Sequence, residues 1–261
     1  AINSQGLLLE INRGRYYVPF VAGARAITPE NVGGVDENDA VVLCVKIPHT
    51  KSSLEPFSEY KRGVLCIQNG FDETAEKSLG KRFVRGVISI GSVYIKPGHI
   101  RRTSDGDLYI GRADGRVDLE VMRYYNLLRD AELKKVVATD NIAGALWAKA
   151  LINCFLNPVS AVTGYSFGEL VEDEATCDLF CDLYRESFSI ARASGVRLEK
   201  VLGFPPSLIS KLFKHKRLSR KILMAATKKF HDTRSSMLQD MEAGRKTEID
   251  SLNGYIVRWG G

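Results

Sequence analysis

Histidine is scarce in this chain, with four in 261 residues, and no cluster of them accompanies the five cysteines. Cys44, Cys66, Cys154, Cys177 and Cys181 are odd in number and stand in apolar stretches. Buried reduced thiols of a cytoplasmic protein are therefore expected rather than a disulfide framework. Cys177 and Cys181 are spaced to share a helix face, but without histidine neighbours they make a weak case for a metal, and none is expected. Long apolar runs are also missing. None approaches the eighteen or so residues of a membrane-spanning helix, so no membrane span is expected. The first residues, Ala-Ile-Asn-Ser-Gln-Gly, have neither the basic nor the apolar region of a signal peptide. Repeats and low-complexity linkers are lacking, so the two halves are expected to pack tightly; zinc-finger spacing and RNA-binding aromatic signatures are lacking too, which argues against nucleic acid as a partner.

What is present is a hydrophobic content of 44% and a net charge of +6. The first suffices for one large core or two modest ones. The second suggests anionic partners without naming them. The densest basic stretch runs from Lys211 through Lys214, His215, Lys216, Arg217, Arg220 and Lys221 to Lys228 and Lys229. Apolar residues recur through it at helical spacing, so it reads as a helix pair with solvated basic faces, with nucleic-acid binding as the weaker alternative.

The first half looks like strands separated by turns and short helices. Segments 6–11 and 16–20 flank Asn-Arg-Gly-Arg, a hairpin turn signal. Segments 40–45, 64–68 and 83–90 are continuous apolar runs, as strands covered on both faces require. Short helices are expected at 52–60 and 72–81, and the alternation argues for a parallel α/β sheet. Segments 93–101 and 107–112 suggest an antiparallel pair at its edge. An amphipathic helix follows at 117–129, with a last strand at 136–138. From there the chain reads as helix: a long one capped by Asp140 and ended by Thr163-Gly164, then 168–195, 206–214, 217–230, 232–243 and 248–258. Pro158 should kink the long helix. The domain boundary falls near residue 139, giving domains 1–139 and 140–261.

The long helix carries the most informative residues. Steps of four advance only about 40° each, so Lys149, Asn153 and Asn157 stay within roughly an 80° stripe. Their neighbours Leu151, Ile152, Cys154, Phe155 and Leu156 are apolar. A lysine and two carboxamides beside a buried surface need partners, and a bound polar ligand is one. Near the C-terminus, Ser235-Ser236-Met237-Leu238-Gln239-Asp240 leads to Gly244, and Thr247 precedes Glu248-Ile249-Asp250. Thr-x-x-Asp at 247–250 is a helix-start signal with Glu248 in the first turn, and on their own Glu248 and Ser236 read as capping residues before they read as ligands.

Taken together, these segments resemble the ketopantoate reductase (2-dehydropantoate 2-reductase) family over essentially the whole chain. The matching residues are 146–158, Ser235–Asp240, Thr-Glu-Ile-Asp-x-x-Asn-Gly at 247–254, Lys46 after one strand and Asn69-Gly70 after the next. The resemblance implies a Rossmann-type NADP-binding domain followed by an all-helical domain like that of 6-phosphogluconate dehydrogenase. It implies NADPH-dependent reduction of 2-dehydropantoate to pantoate in pantothenate and coenzyme A biosynthesis. Lys149 would be the catalytic acid at the 2-keto oxygen and Glu248 its partner. Asn153, Asn157, Ser236 and Asn69 would hold the substrate. Lys46, Asn69 and Glu248 would lie by the cofactor. A cytoplasmic enzyme is implied, and a homodimer is compatible with it.

Two departures bear on this. Thr233 stands where some family members carry an asparagine that contacts substrate. The family's opening Gly-x-Gly-x-x-Gly turn is absent: neither Gly33-Gly34 nor Gly86 to Gly91 supplies it. A strand–turn–helix unit is therefore expected before Ala1 and a further helix or two after Gly261. Residues 1–261 alone are expected to bind NADPH poorly, because that turn supplies the backbone donors for the pyrophosphate. The alternative functions are reduction of another 2-keto acid on the same fold, an opine-type dehydrogenase, or a basic nucleic-acid-binding protein.

Overall fold

The computed structural model describes residues 7–11, 14–18, 35–131, 133–200 and 203–260. The chain forms two compact units. One comprises residues up to Val45, His49–Gln68 and Glu73–Asp140; the other comprises Lys46–Pro48, Asn69–Asp72 and Asn141–Gly261. A single cut near residue 139 therefore misses two short segments of the first half that belong with the helices.

The first unit is built on a five-stranded sheet, ordered β3 (Val41–Leu43), β4 (Val64–Cys66), β5 (Phe83–Ile88), β8 (Asp107–Gly111) and β9 (Lys135–Ala138). Its pairs are parallel except β5 with β8. Alternation along β4 explains the uninterrupted apolar run. Val64 and Cys66 join a core with Leu54, Ala75 and Leu79, from helices α1 (Thr50–Leu54) and α2 (Glu73–Leu79). Leu65 faces Val121 and Tyr124 of α3 (Leu119–Leu128). Both faces are thus covered, as parallel strands require. The expectation fails at β3, where Val42 is 36% exposed on the last strand of the described sheet.

A second sheet orders β2 (Gly14–Val18), β1 (Leu7–Ile11), β7 (His99–Ser104) and β6 (Gly91–Lys96). The hairpin of β1 and β2 is present, with Ile11 opposite Gly14; its turn and residues 19–20 lie outside the described residues. Segment 93–101 is not one strand but parts of two, reversed at Pro97-Gly98, where Gly98 has φ +78°. Proline followed by a positive-φ glycine is turn chemistry that the β-branched residues around it mask. Segment 107–112 consequently pairs with β5, not with its expected neighbour.

The second unit is helical: α4 (Ile142–Thr163), α5 (Phe167–Glu172), α6 (Glu174–Ala193), α7 (Pro206–Leu212), α8 (Lys216–Thr227), α9 (Ser236–Glu242) and α10 (Asn253–Gly260). The expected helix 168–195 is broken at Asp173, which has extended backbone and caps α6 by accepting from Thr176 N at 2.8 Å. Helix α4 is long and apolar enough to cross a membrane by length and composition, although Lys149, Asn153 and Asn157 interrupt its apolar run. It is instead a core helix. Leu151 and Phe155 pack with Leu170, Phe180, Tyr184 and Phe213. Part of the basic stretch is committed within this unit: Lys216 lies 2.9 Å from Asp182 and 3.3 Å from Asp178 of α6.

Candidate functional site

Helix α4 is capped by Asn141, not Asp140. The Asn141 side chain accepts from Gly144 N and donates to Arg197 O at 2.7 Å, which fixes the helix start against the 197–199 segment. At the other end Gly164 stops the helix with φ +76°, a conformation a side chain would oppose. Between them Lys149, Asn153 and Asn157 follow one another a turn apart, Asn157 buried and the other two half-buried.

Asn153 Nδ2 donates to Asn69 Oδ1 at 3.0 Å, bringing together two of the expected site residues. The Asn69 turn is fixed by its successors. Gly70 has φ +88°, and a Cβ there would lie 2.8 Å from Ser251 O. Phe71 N donates to that carbonyl at 2.8 Å. The Phe71 ring stacks on Tyr255 with centroids 3.9 Å apart and meets Trp147 edge-on at 5.2 Å.

Pro158 has no N–H to give the carbonyl four residues back, which is that of Cys154. Asn253 Nδ2 donates to Cys154 O at 2.8 Å and fills that gap. Nearby, Ser235 Oγ donates to Asn157 O at 3.2 Å and accepts from Leu238 N at 3.0 Å as the cap of α9. The capping alternative for Ser236 is thereby resolved: Ser235 caps, and Ser236 is exposed on the first turn.

Glu248 is 8% exposed. It makes no capping bond to the 3₁₀ turn Ile249–Ser251, and α10 starts only at Asn253, so the Thr-x-x-Asp capping reading does not hold. Its Oε1 instead accepts from Ile47 N at 3.1 Å. Burial raises its pKa; the Ile47 bond and the charges of Lys46 and Lys149 oppose that rise, and Asp240 adds to it. Lys46 forms an ion pair with Asp240, which is 2% exposed and also lies 2.9 Å from Arg245 Nε.

The charges of Lys46, Lys149 and Asp240 thus all act on Glu248, and Asn153 of the Asn69–Asn153 pair follows Lys149 by one turn of α4. A lysine coupled to a buried carboxylic acid can donate a hydrogen bond and a proton to an oxygen gaining negative charge. Sequence reasoning missed Asp240, Ser235 and Asn253. For Asp240 a signal existed: it lies four residues after Ser236 on a short helix whose remaining inward positions are apolar. Among the described residues, no group of three or more histidine, cysteine or acidic side chains could hold a metal ion. All five cysteines are free, and Cys44 is exposed rather than buried. Burial pushes the Cys154 thiol up to about 12, so it is an inert core group.

Residues 1–115 match the family model described as Ketopantoate reductase PanE/ApbA, and residues 141–261 match Ketopantoate reductase PanE/ApbA C terminal. A 2-dehydropantoate 2-reductase of Mesorhizobium japonicum is 31% identical over 286 aligned positions, covering 100% of this chain and 80% of that protein. The chain belongs to the ketopantoate reductase family. The 2-dehydropantoate 2-reductase of Archaeoglobus fulgidus is 29% identical over 230 residues, with 86% of this chain and 70% of that protein covered. Among solved structures, a PanE/ApbA family ketopantoate reductase from Ralstonia eutropha is similar with TM-score 0.73 and 28% identity, over 99% of this chain and 79% of that one. A D-mandelate dehydrogenase with NADH and anilino(oxo)acetate shares the fold, with TM-score 0.76 at 18% identity over 99% and 79% of the two chains. Ketopantoate reductases are NAD(P)H-dependent oxidoreductases, with a Rossmann-like domain followed by a helical one.

Proposed function

We propose that the protein reduces 2-dehydropantoate to (R)-pantoate with NADPH, as a cytoplasmic enzyme of pantothenate and coenzyme A biosynthesis. The observation that carries this reading is the Asn153–Asn69 hydrogen bond, one helical turn along α4 from Lys149, whose charge acts on the buried acid Glu248. Lys46 and Asn69 each follow a parallel strand, β3 and β4, by three residues in sequence. Dinucleotides bind at that end of an open α/β sheet, and an ammonium and a carboxamide suit the cofactor's phosphate and carboxamide oxygens. When bound, NADPH supplies the hydride that adds to C2 of the keto acid.

This chain's residues do the rest. Lys149 donates a hydrogen bond to the 2-keto oxygen and gives up a proton as negative charge builds there. Glu248 orients Lys149 by its charge and relays protons to it. Asn153, Asn157 and Ser236 hold the substrate's hydroxyl and carboxylate. Reduction of another 2-keto acid by the same residues is the second reading, favoured by Thr233 at a position where some family members carry asparagine.

Replacing Lys149 by alanine tests the assignment. Because Lys149 acts on charge present only in the transition state, turnover should fall on the order of 10²–10⁴-fold while NADPH affinity holds. Near-parental turnover in that variant would remove Lys149 from the reaction.

A further inference from the structure

Asp240 has no part in the mechanism above, yet it is the most deeply buried charge of the site. A carboxylate at 2% exposure needs opposing charge. It has two cations, Lys46 at Oδ2 and Arg245 at Oδ1, and its main-chain carbonyl accepts from Arg245 N at 2.8 Å. The two partners differ in surroundings. The Arg245 side chain is 57% exposed, whereas that of Lys46 is 38% exposed and belongs to the segment whose next residue, Ile47, donates its N–H to Glu248.

Two acids therefore grip consecutive residues: Asp240 takes the Lys46 side chain, and Glu248 takes the Ile47 main chain. The charged groups facing Glu248 are Lys46, Lys149 and Asp240. Lys46 already acts on Glu248 by its charge, and without Asp240 a direct Lys46–Glu248 pair would compete with Lys149. We propose that Asp240 is a positioning residue that sequesters Lys46 in an ion pair and so leaves Glu248 to Lys149. The inference rests on the reductase reading for its purpose, but not for its test.

The test is a carboxyl ¹³C titration of Glu248 in the full chain, with the resonance assigned by Glu248→Gln. In Asp240→Asn the Glu248 midpoint should move to lower pH, because a negative neighbour is gone and a released Lys46 can pair with it. Asp240→Glu should restore the parental midpoint. The shift should shrink when Asp240→Asn is made in a Lys46→Met background, since the two changes then share one interaction. An unchanged midpoint, or equal shifts in both backgrounds, would overturn the proposal. Should Asp240→Asn fail to fold, the parent protein still decides. The Lys46 ammonium, assigned by Lys46→Arg, should give a slowly exchanging ¹⁵N signal, and exchange as fast as that of an open surface lysine would also overturn it. None of these readouts needs turnover. A protein that showed the shift but reduced no keto acid would refute the reductase reading alone.

Discussion

Glu248 carries a cost that its folding environment imposes and its proposed chemistry uses. Burial raises its pKa above the ordinary 4.5, so the native state keeps this proton to higher pH than the unfolded chain does. Native stability is therefore fully supported below the unfolded value and declines as pH rises from there through the raised native value. Glu248→Gln keeps an acceptor for Ile47 N–H and removes the ionisation. Urea titrations should show the variant equal to the parent in buffer below pH 4.5 and more stable in mildly alkaline buffer. A variant less stable than the parent in alkaline buffer would contradict this. Asn157 and Ser236 are assigned to substrate grip. Their alanine variants should raise KM by ~1–2 kcal/mol each with kcat nearly unchanged. Loss of kcat at unchanged KM would reverse that division of roles. The stripe of Lys149, Asn153 and Asn157 is visible in the sequence because helical spacing is local. The pairing of Asp240 with Lys46 is not, because the two lie 194 residues apart and no periodicity links them.

At the scale of elements, Pro158 and Asn253 form a compensated pair. The proline withholds a donor from Cys154 O, and the asparagine supplies one. Asn253→Ala should leave that carbonyl unpaired and cost about 1–3 kcal/mol of unfolding free energy. In a Pro158→Ala background, where residue 158 again carries an N–H, the same substitution should cost less. Denaturant unfolding of the four proteins gives the coupling, and strictly additive effects would show that Asn253 acts elsewhere. Most helices are readable from apolar periodicity, but their ends depend on side-chain chemistry that periodicity passes over. Asn141 takes the cap of α4 because it also reaches Arg197 O. Asp173 splits an apolar pattern that runs on in phase to either side. In the same way, the Pro97-Gly98 reversal hides inside a run of strand-forming residues.

For the molecule as a whole, the class of each half is plain from the order of its elements, while strand partnership is not. Nothing local states that β8 pairs antiparallel with β5, or that β1 lies parallel to β7. Such pairings are chosen by long-range burial rather than by the residues beside them. The same holds for the two short segments, 46–48 and 69–72, that join the helical unit and bring Lys46 and Asn69 to Asp240 and Asn153. In the proposed function, this assembly of residues reduces a hydroxylated 2-keto acid. Steady-state turnover with NADPH across 2-dehydropantoate, pyruvate, 2-ketoisovalerate and phenylglyoxylate tests it most directly. The highest kcat/KM is expected for 2-dehydropantoate, by roughly tenfold or more for each well-made hydrogen bond to its extra hydroxyl. A preference for a keto acid lacking that hydroxyl would contradict it.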